Sequence, residues 1–206
     1  MVFDFFDSIF CITTDASSPR ARLAEAQFIE LGIKAEFVQG EVTNPHYHGC
    51  IRAHWKCIEL AKERGSKNVF IFEDDIFFIN YNAATLGSAL DSLPPSWEVF
   101  FLGGHLGQLP RGQQYKFSEH LIKIPTLECH AYALNLAAFK NLSFNHDVEP
   151  PFTNNIFGTL PKGYGQFSQI YTINPIMSVQ LDPKQQRRLF VTLQTYARNK
   201  YLSKVI

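Results

Sequence analysis

Residues 69–78, VFIFEDDIFF, constrain the chain more than any other segment. Val69, Phe70, Ile71 and Phe72 form a continuous apolar run, of the kind buried on both faces of a parallel sheet. Glu73, Asp74 and Asp75 interrupt it before Ile76, Phe77 and Phe78 resume the apolar pattern. Carboxylates at the edge of a core must be paired, protonated or bound to a cation. The segment therefore demands covering helices for the strand and a chemical explanation for the acids.

The flanking sequence supplies such helices. Residues 8–14 read as a first strand and residues 17–32 as a helix, with Ser18 as cap, Pro19 in the first turn and Gly32 closing it. Ala21, Ala24, Phe28 and Leu31 fall on one face of that helix. Residues 34–40 predict a second strand and 49–65 a second helix, followed by the strand at 68–72. A helix over 83–93 and a buried strand over 97–104 come next. This alternation predicts an α/β sandwich around a largely parallel sheet. Beyond it, residues 120–142 read as strand, turn, strand and short helix, and 169–180 as a late strand. Residues 145–167 are rich in Pro, Gly and Asn and read as loop.

At 206 residues the chain is long enough for one sizeable core, expected over residues 1–182, with residues 183–206 as a basic helical tail. That tail holds Lys184, Arg187, Arg188, Arg198, Lys200 and Lys204 and no acid. It reads either as a helix docked on the domain or as a surface for an anionic membrane or a further domain. The formal net charge is +0, which argues against nucleic acid as a partner. No apolar run approaches the roughly 20 residues of a membrane helix, and the N-terminus carries Asp4 and Asp7 without a basic stretch. With 4 cysteines in no framework spacing, a reducing, cytoplasmic location is expected.

In open α/β sheets, ligands bind beyond the carboxyl ends of the strands, where the acids at 73–75 fall. Alternation along a strand lets Glu73 and Asp75 share a face while Asp74 points away. Two such carboxylates suit a hard cation, Mg²⁺ or Mn²⁺, which would bridge a diphosphate. Helix capping or pairing with surface lysines is the plainer alternative.

The wider pattern resembles glycosyltransferase family 25, which includes lipooligosaccharide and collagen galactosyltransferases. Four segments carry the resemblance: IFCITTDASSPRARLAEAQFIELGI, HGCIRAHWKCIELAKERGSKNVFIFEDDI, AYALNLAAFKNL and INPIMSVQ. The second, with its Gly-Cys pair, helix-borne His and Glu-Asp-Asp block, is the most specific. The resemblance implies a GT-A fold and transfer of a hexose, galactose or glucose, from a UDP-sugar to a hydroxyl of a glycan, glycolipid or glycoprotein. It implies Asp75 as main metal ligand, with Glu73 assisting through the metal or the ribose. Thr13, Thr14 and Asp15 would border the nucleotide, with Arg20 close by and Asp74 and His105 also at the donor site. Asp147 resembles the family's Asp at that place and is a candidate general base, with Glu149 next in line. Thr13 stands where the family has Asn, Ala53 where it has Ser, and an extra residue precedes Arg20. These departures leave open a second reading, a nucleotide-sugar or carbohydrate-binding module without turnover. An acidic-triplet phosphatase would need an Asp-x-Asp-x-Thr nucleophile segment, which is missing.

Other polar residues have two readings each. His54 shares a helical stripe with Cys50, Cys57 and Ala61, which fits a satisfied core histidine. With His46 and His48 nearby, Cys50, His54 and Cys57 are also potential zinc ligands, at a spacing that matches no standard site. Gly103 and Gly104 before His105 would admit a ligand close to the backbone, or mark an ordinary turn. His130 and Tyr132 lie on one face of a strand, where one could meet an acceptor hydroxyl, or Tyr132 could be a buried tyrosine with its own hydroxyl satisfied.

Overall fold

The computed structural model describes residues 1–104, 115–126, 128–138 and 167–181. After a 3₁₀ turn at Val2–Phe5, strand β1 (Ser8–Thr13) leads into helix α1 (Pro19–Leu31), then β2 (Glu36–Gln39) and α2 (His46–Glu63). Strands β3 (Asn68–Glu73) and β4 (Ile76–Phe78), helix α3 (Ala83–Asp91) and strand β5 (Val99–Phe101) follow. Strands β6 (Leu121–Ile122), β7 (Ala131–Asn135), β8 (Ile170–Ile173) and β9 (Ser178–Gln180) complete the described chain.

The main sheet has 7 strands in the order β2-β1-β3-β7-β5-β8-β6. Strands β2, β1 and β3 pair in parallel, as do β5 and β8, whereas β7 is antiparallel to both β3 and β5. The α/β class and the largely parallel sheet are those expected. The antiparallel β7 between β3 and β5 is a non-local pairing, invisible to local periodicity. The expected strand over 97–104 shortens to Val99–Phe101, with Gly103 bridging to Ser178.

Alternation along the strands sorts the core into two layers. Phe10, Ile12, Val69, Ile71, Phe101 and Tyr132 pack on α2 through Ile51, Trp55, Cys57 and Ile58. Cys11, Phe70, Phe72, Phe100 and Tyr171 pack on the opposite face with Phe28, Leu86 and Leu90. Phe3 and Phe6 from the N-terminal turn close that second layer, with the Phe6 and Phe70 ring centroids 4.8 Å apart. Each fully buried aromatic contributes roughly 1.5–3 kcal/mol. A strand buried on both faces explains why residues 69–72 carry no polar side chain.

Helix α1 forms as its ends dictate. The Ser18 side chain accepts from the Ala21 amide at 3.1 Å, Pro19 sits in the first turn, and Gly32 closes the helix at φ 69°. Ala21, Ala24 and Phe28 are buried, and Leu31 is half-buried. Gln27 is the polar exception on this face. Its Nε2 donates to the Ile76 carbonyl at 3.1 Å, and its Oε1 accepts from the Phe78 amide at 3.0 Å. One helix side chain thus pins β4 and, with it, the turn at Asp74–Asp75. The other side of β4 pairs antiparallel with β9 in a separate 2-stranded sheet. Residues 69–78 are therefore two strands of two sheets, joined by the acids.

Candidate active site

Three segments fix the turn. The Glu73 amide donates to the His130 carbonyl at 2.9 Å and the Asp74 amide to the Ile12 carbonyl at 3.0 Å. Just past β9, the Leu181 amide donates to the Asp75 carbonyl at 3.0 Å. The acids thereby face a cavity of about 430 Å³ at the carboxyl ends of β1 and β3, lined also by Thr13, Thr14, Arg20, Cys50 and Gln180.

Each acid meets a different set of partners. Glu73 accepts from His54 Nε2 at 3.0 Å through Oε1 and from Gln180 Nε2 at 3.3 Å through Oε2. Asp74 accepts from Thr13 Oγ1 at 2.7 Å and from the Arg20 guanidinium. Asp75 Oδ2 lies 3.2 Å from Arg20 and accepts from Gln180 Nε2 at 3.0 Å. Gln180 joins Glu73 to Asp75, while Arg20 spans Asp74 and Asp75 and Thr13 of β1 meets Asp74.

The electrostatics follow from these contacts. Burial favours neutral Glu73, but the hydrogen bond and charge of His54 outweigh it and hold its carboxyl below the ordinary value. Burial likewise favours neutral His54, yet Cys50 and Glu73 around it raise its pKa to about 10. Asp75 is pushed up to about 7, by burial first and then by the Glu73 charge, with Arg20 opposing. The His54 and Arg20 cations balance the Glu73 and Asp74 anions, so an ionised Asp75 lacks a full partner. Its Oδ1 is buried with no hydrogen-bond partner among the described residues, and so is Arg20 Nε. An orphaned carboxylate oxygen beside an orphaned guanidinium N–H suits a hard cation carrying an anion. The residues present fit Mg²⁺ or Mn²⁺, held by Asp75. Glu73, the other expected ligand of this cation, turns Oε1 to His54 and Oε2 to Gln180.

Thr13 and Thr14 line the cavity. Asp15 does not; it accepts from the amide and hydroxyl of Ser17 at 2.8 and 2.7 Å and lies exposed. Arg20 points inward onto the acids. The room expected beside Gly103 and Gly104 for a ligand is taken by protein. A Cβ on Gly103 would stand 2.0 Å from the Ser178 carbonyl, and one on Gly104 would stand 2.7 Å from Thr126 Oγ1. His130 and Tyr132 are fully buried, bonded to Ser178 Oγ at 3.2 Å and to His54 Nδ1 at 2.8 Å, so neither meets an acceptor. Cys57 lies in the core and does not join Cys50 and His54; Glu73 does. His105, Asp147, Glu149 and the tail over 183–206 lie outside the described residues.

Sequence reasoning missed the His54–Glu73 pair and the role of Gln180. The helix stripe that buries His54 points it at the sheet, which was a usable signal. Gln180, 105 residues beyond Asp75, gave none beyond its place in the late strand.

No protein-family model matches the chain, and no curated protein matches it. Among solved structures, the chain is similar to A197 from STIV, with a TM-score of 0.52 at 4% identity over 86% of this chain and 90% of that one. This likeness bears on the fold. A glycosyltransferase involved in glycosylation of the major capsid of PBCV-1 aligns at a TM-score of 0.43 and 13% identity, over 65% of this chain and 61% of that one. Residues 1–349 of S. aureus TarS, in complex with UDP-GlcNAc, align at 0.41 and 14%, over 86% and 52%. The chain thus spans between half and two thirds of the length of those two proteins. Among the described residues, no helix is long and apolar enough to cross a membrane.

Proposed function

We propose that this protein is a glycosyltransferase of GT-A architecture that moves a hexose from a UDP-sugar to an acceptor hydroxyl. The observation that carries the reading is the unpartnered Asp75 Oδ1 beside the unpartnered Arg20 Nε, in a cavity at the strand ends. The motif resemblance to family 25 supports the same chemistry and points to galactose or glucose. A glycan, glycolipid or glycoprotein is the acceptor class in this reading, and the cytoplasm its place.

Asp75 would hold Mn²⁺ or Mg²⁺, which neutralises the diphosphate and eases departure of the nucleotide. Arg20 contributes a fixed positive charge beside the same phosphates, held in place by Asp74. Thr13 and Thr14 border the nucleotide from the end of β1. Gln180 sets the spacing of Glu73 and Asp75, and His54 keeps Glu73 ionised. Asp147 is retained as the candidate base that takes the acceptor proton.

The pairing of Arg20 with Asp74 and Asp75 also favours a second reading, a nucleotide-sugar-binding module whose acids are closed by protein. A single-turnover assay with labelled nucleotide sugars and Mn²⁺ separates the two. A transferase releases UDP in a cation-dependent burst; a module saturates with intact donor.

A further inference from the structure

Cys50 and His54 stand one helical turn apart on α2 and face the end of β3. Their Sγ and ring nitrogen, with a Glu73 oxygen, all lie within 4.8 Å of one another. Cys50 Sγ is 4.0 Å from Glu73 Oε1, and His54 Nε2 is 3.0 Å from the same oxygen. Donors bound tetrahedrally to zinc at about 2.0–2.3 Å stand roughly 3.3–3.5 Å apart, so small side-chain adjustments would close this set on one ion.

We propose that Cys50, His54 and Glu73 form a site for a borderline-soft transition metal such as Zn²⁺, separate from the hard cation assigned to Asp75. Thiolate, imidazole and carboxylate together select zinc over Mg²⁺ or Mn²⁺, which prefer oxygen. The orienting contact is present. His54 Nδ1 meets Tyr132 Oη at 2.8 Å, which directs Nε2 at Glu73 and Cys50, as a metal-bound histidine requires. Both His54 and Tyr132 are fully buried, so this geometry is fixed by the core. Cys50 is half-buried and lines the cavity, which leaves a coordination position open to water or a ligand.

Co²⁺ is the probe, because thiolate ligation gives a charge-transfer band that oxygen ligation does not. Full-length protein, stripped with EDTA, is titrated with Co²⁺ and then with Zn²⁺. The proposal predicts a Co²⁺ thiolate band from this site, independent of any Co²⁺ taken up at Asp75, and its displacement by Zn²⁺. Cys50→Ser should lose the band, and Tyr132→Phe should weaken Co²⁺ binding about 10–100-fold. Asp75→Asn should keep the band, and it separates this proposal from the glycosyltransferase reading, which rests on Asp75. Absence of the band in folded wild-type protein, or its persistence in Cys50→Ser, overturns the proposal. Absence of UDP release by wild-type protein that shows the band overturns only the transferase reading.

Discussion

Asp75 is costly to fold as an anion, and the proposed cation site uses it as one. Burial and the neighbouring Glu73 lift its carboxyl from 3.8 to about 7, so ionisation is easier in the unfolded chain than in the native one. Without metal, the stability associated with Asp75 is present below about pH 4 and is lost as pH rises through about 7. Asparagine cannot ionise. In EDTA, Asp75→Asn should therefore melt higher than wild type at pH 8, by roughly 2–4 °C for each kcal/mol recovered. The gap should narrow at pH 5, where wild-type Asp75 is protonated. Thermal scans at the two pH values check this; a variant less stable at pH 8 than wild type would remove the strain assigned to this carboxylate. The same titration makes cation binding improve as pH rises toward 7 and level off above it, since the ligand must be deprotonated.

At the scale of elements, the acid-bearing turn is held from two sides, by Gln27 of α1 and by β9. Gln27→Ala leaves the Ile76 carbonyl and the Phe78 amide without their side-chain partner, at a cost of about 2 kcal/mol for buried groups of this kind. Urea denaturation should show that loss, and nucleotide affinity should fall with it because the turn is no longer pinned. From the other side, Gly103→Ala drives a methyl group into the Ser178 backbone and displaces β9, which carries Gln180. This variant should lose nucleotide affinity even where it remains folded, measured by calorimetry beside circular dichroism. Normal affinity in a folded Gly103→Ala protein would mean that β9 does not position the site. Strands β1 and β3 and helix α1 were legible in the sequence because each is set by local signals: an apolar run, a Ser-Pro start and a Gly stop. The small sheet of β4 and β9 was not, because its pairing joins residues as far apart as Ile76 and Gln180. For the same reason Gln180 could not be connected to Glu73 and Asp75, nor β7 placed between β3 and β5. His54 was legible as buried; its bond to Glu73 needed the third dimension.

For the whole molecule, the sheet order matters more than any one strand. Parallel β2, β1 and β3 align their carboxyl ends, and α2 covers one face while α1 and α3 cover the other. The cavity opens at those aligned ends, with Thr13 from β1, Glu73 from β3 and Cys50 from α2 meeting there. In the proposed function, Asp75 would hold the cation that binds a UDP diphosphate in this cavity. The direct measurement is titration calorimetry of UDP into wild type and Asp75→Asn, each with Mn²⁺ and with EDTA. The account predicts one UDP per wild-type chain with Mn²⁺, no measurable heat in EDTA, and affinity at least about 100-fold weaker in Asp75→Asn, the scale of a lost electrostatic contact. Equal UDP affinity in wild type and Asp75→Asn, or binding indifferent to EDTA, would contradict it.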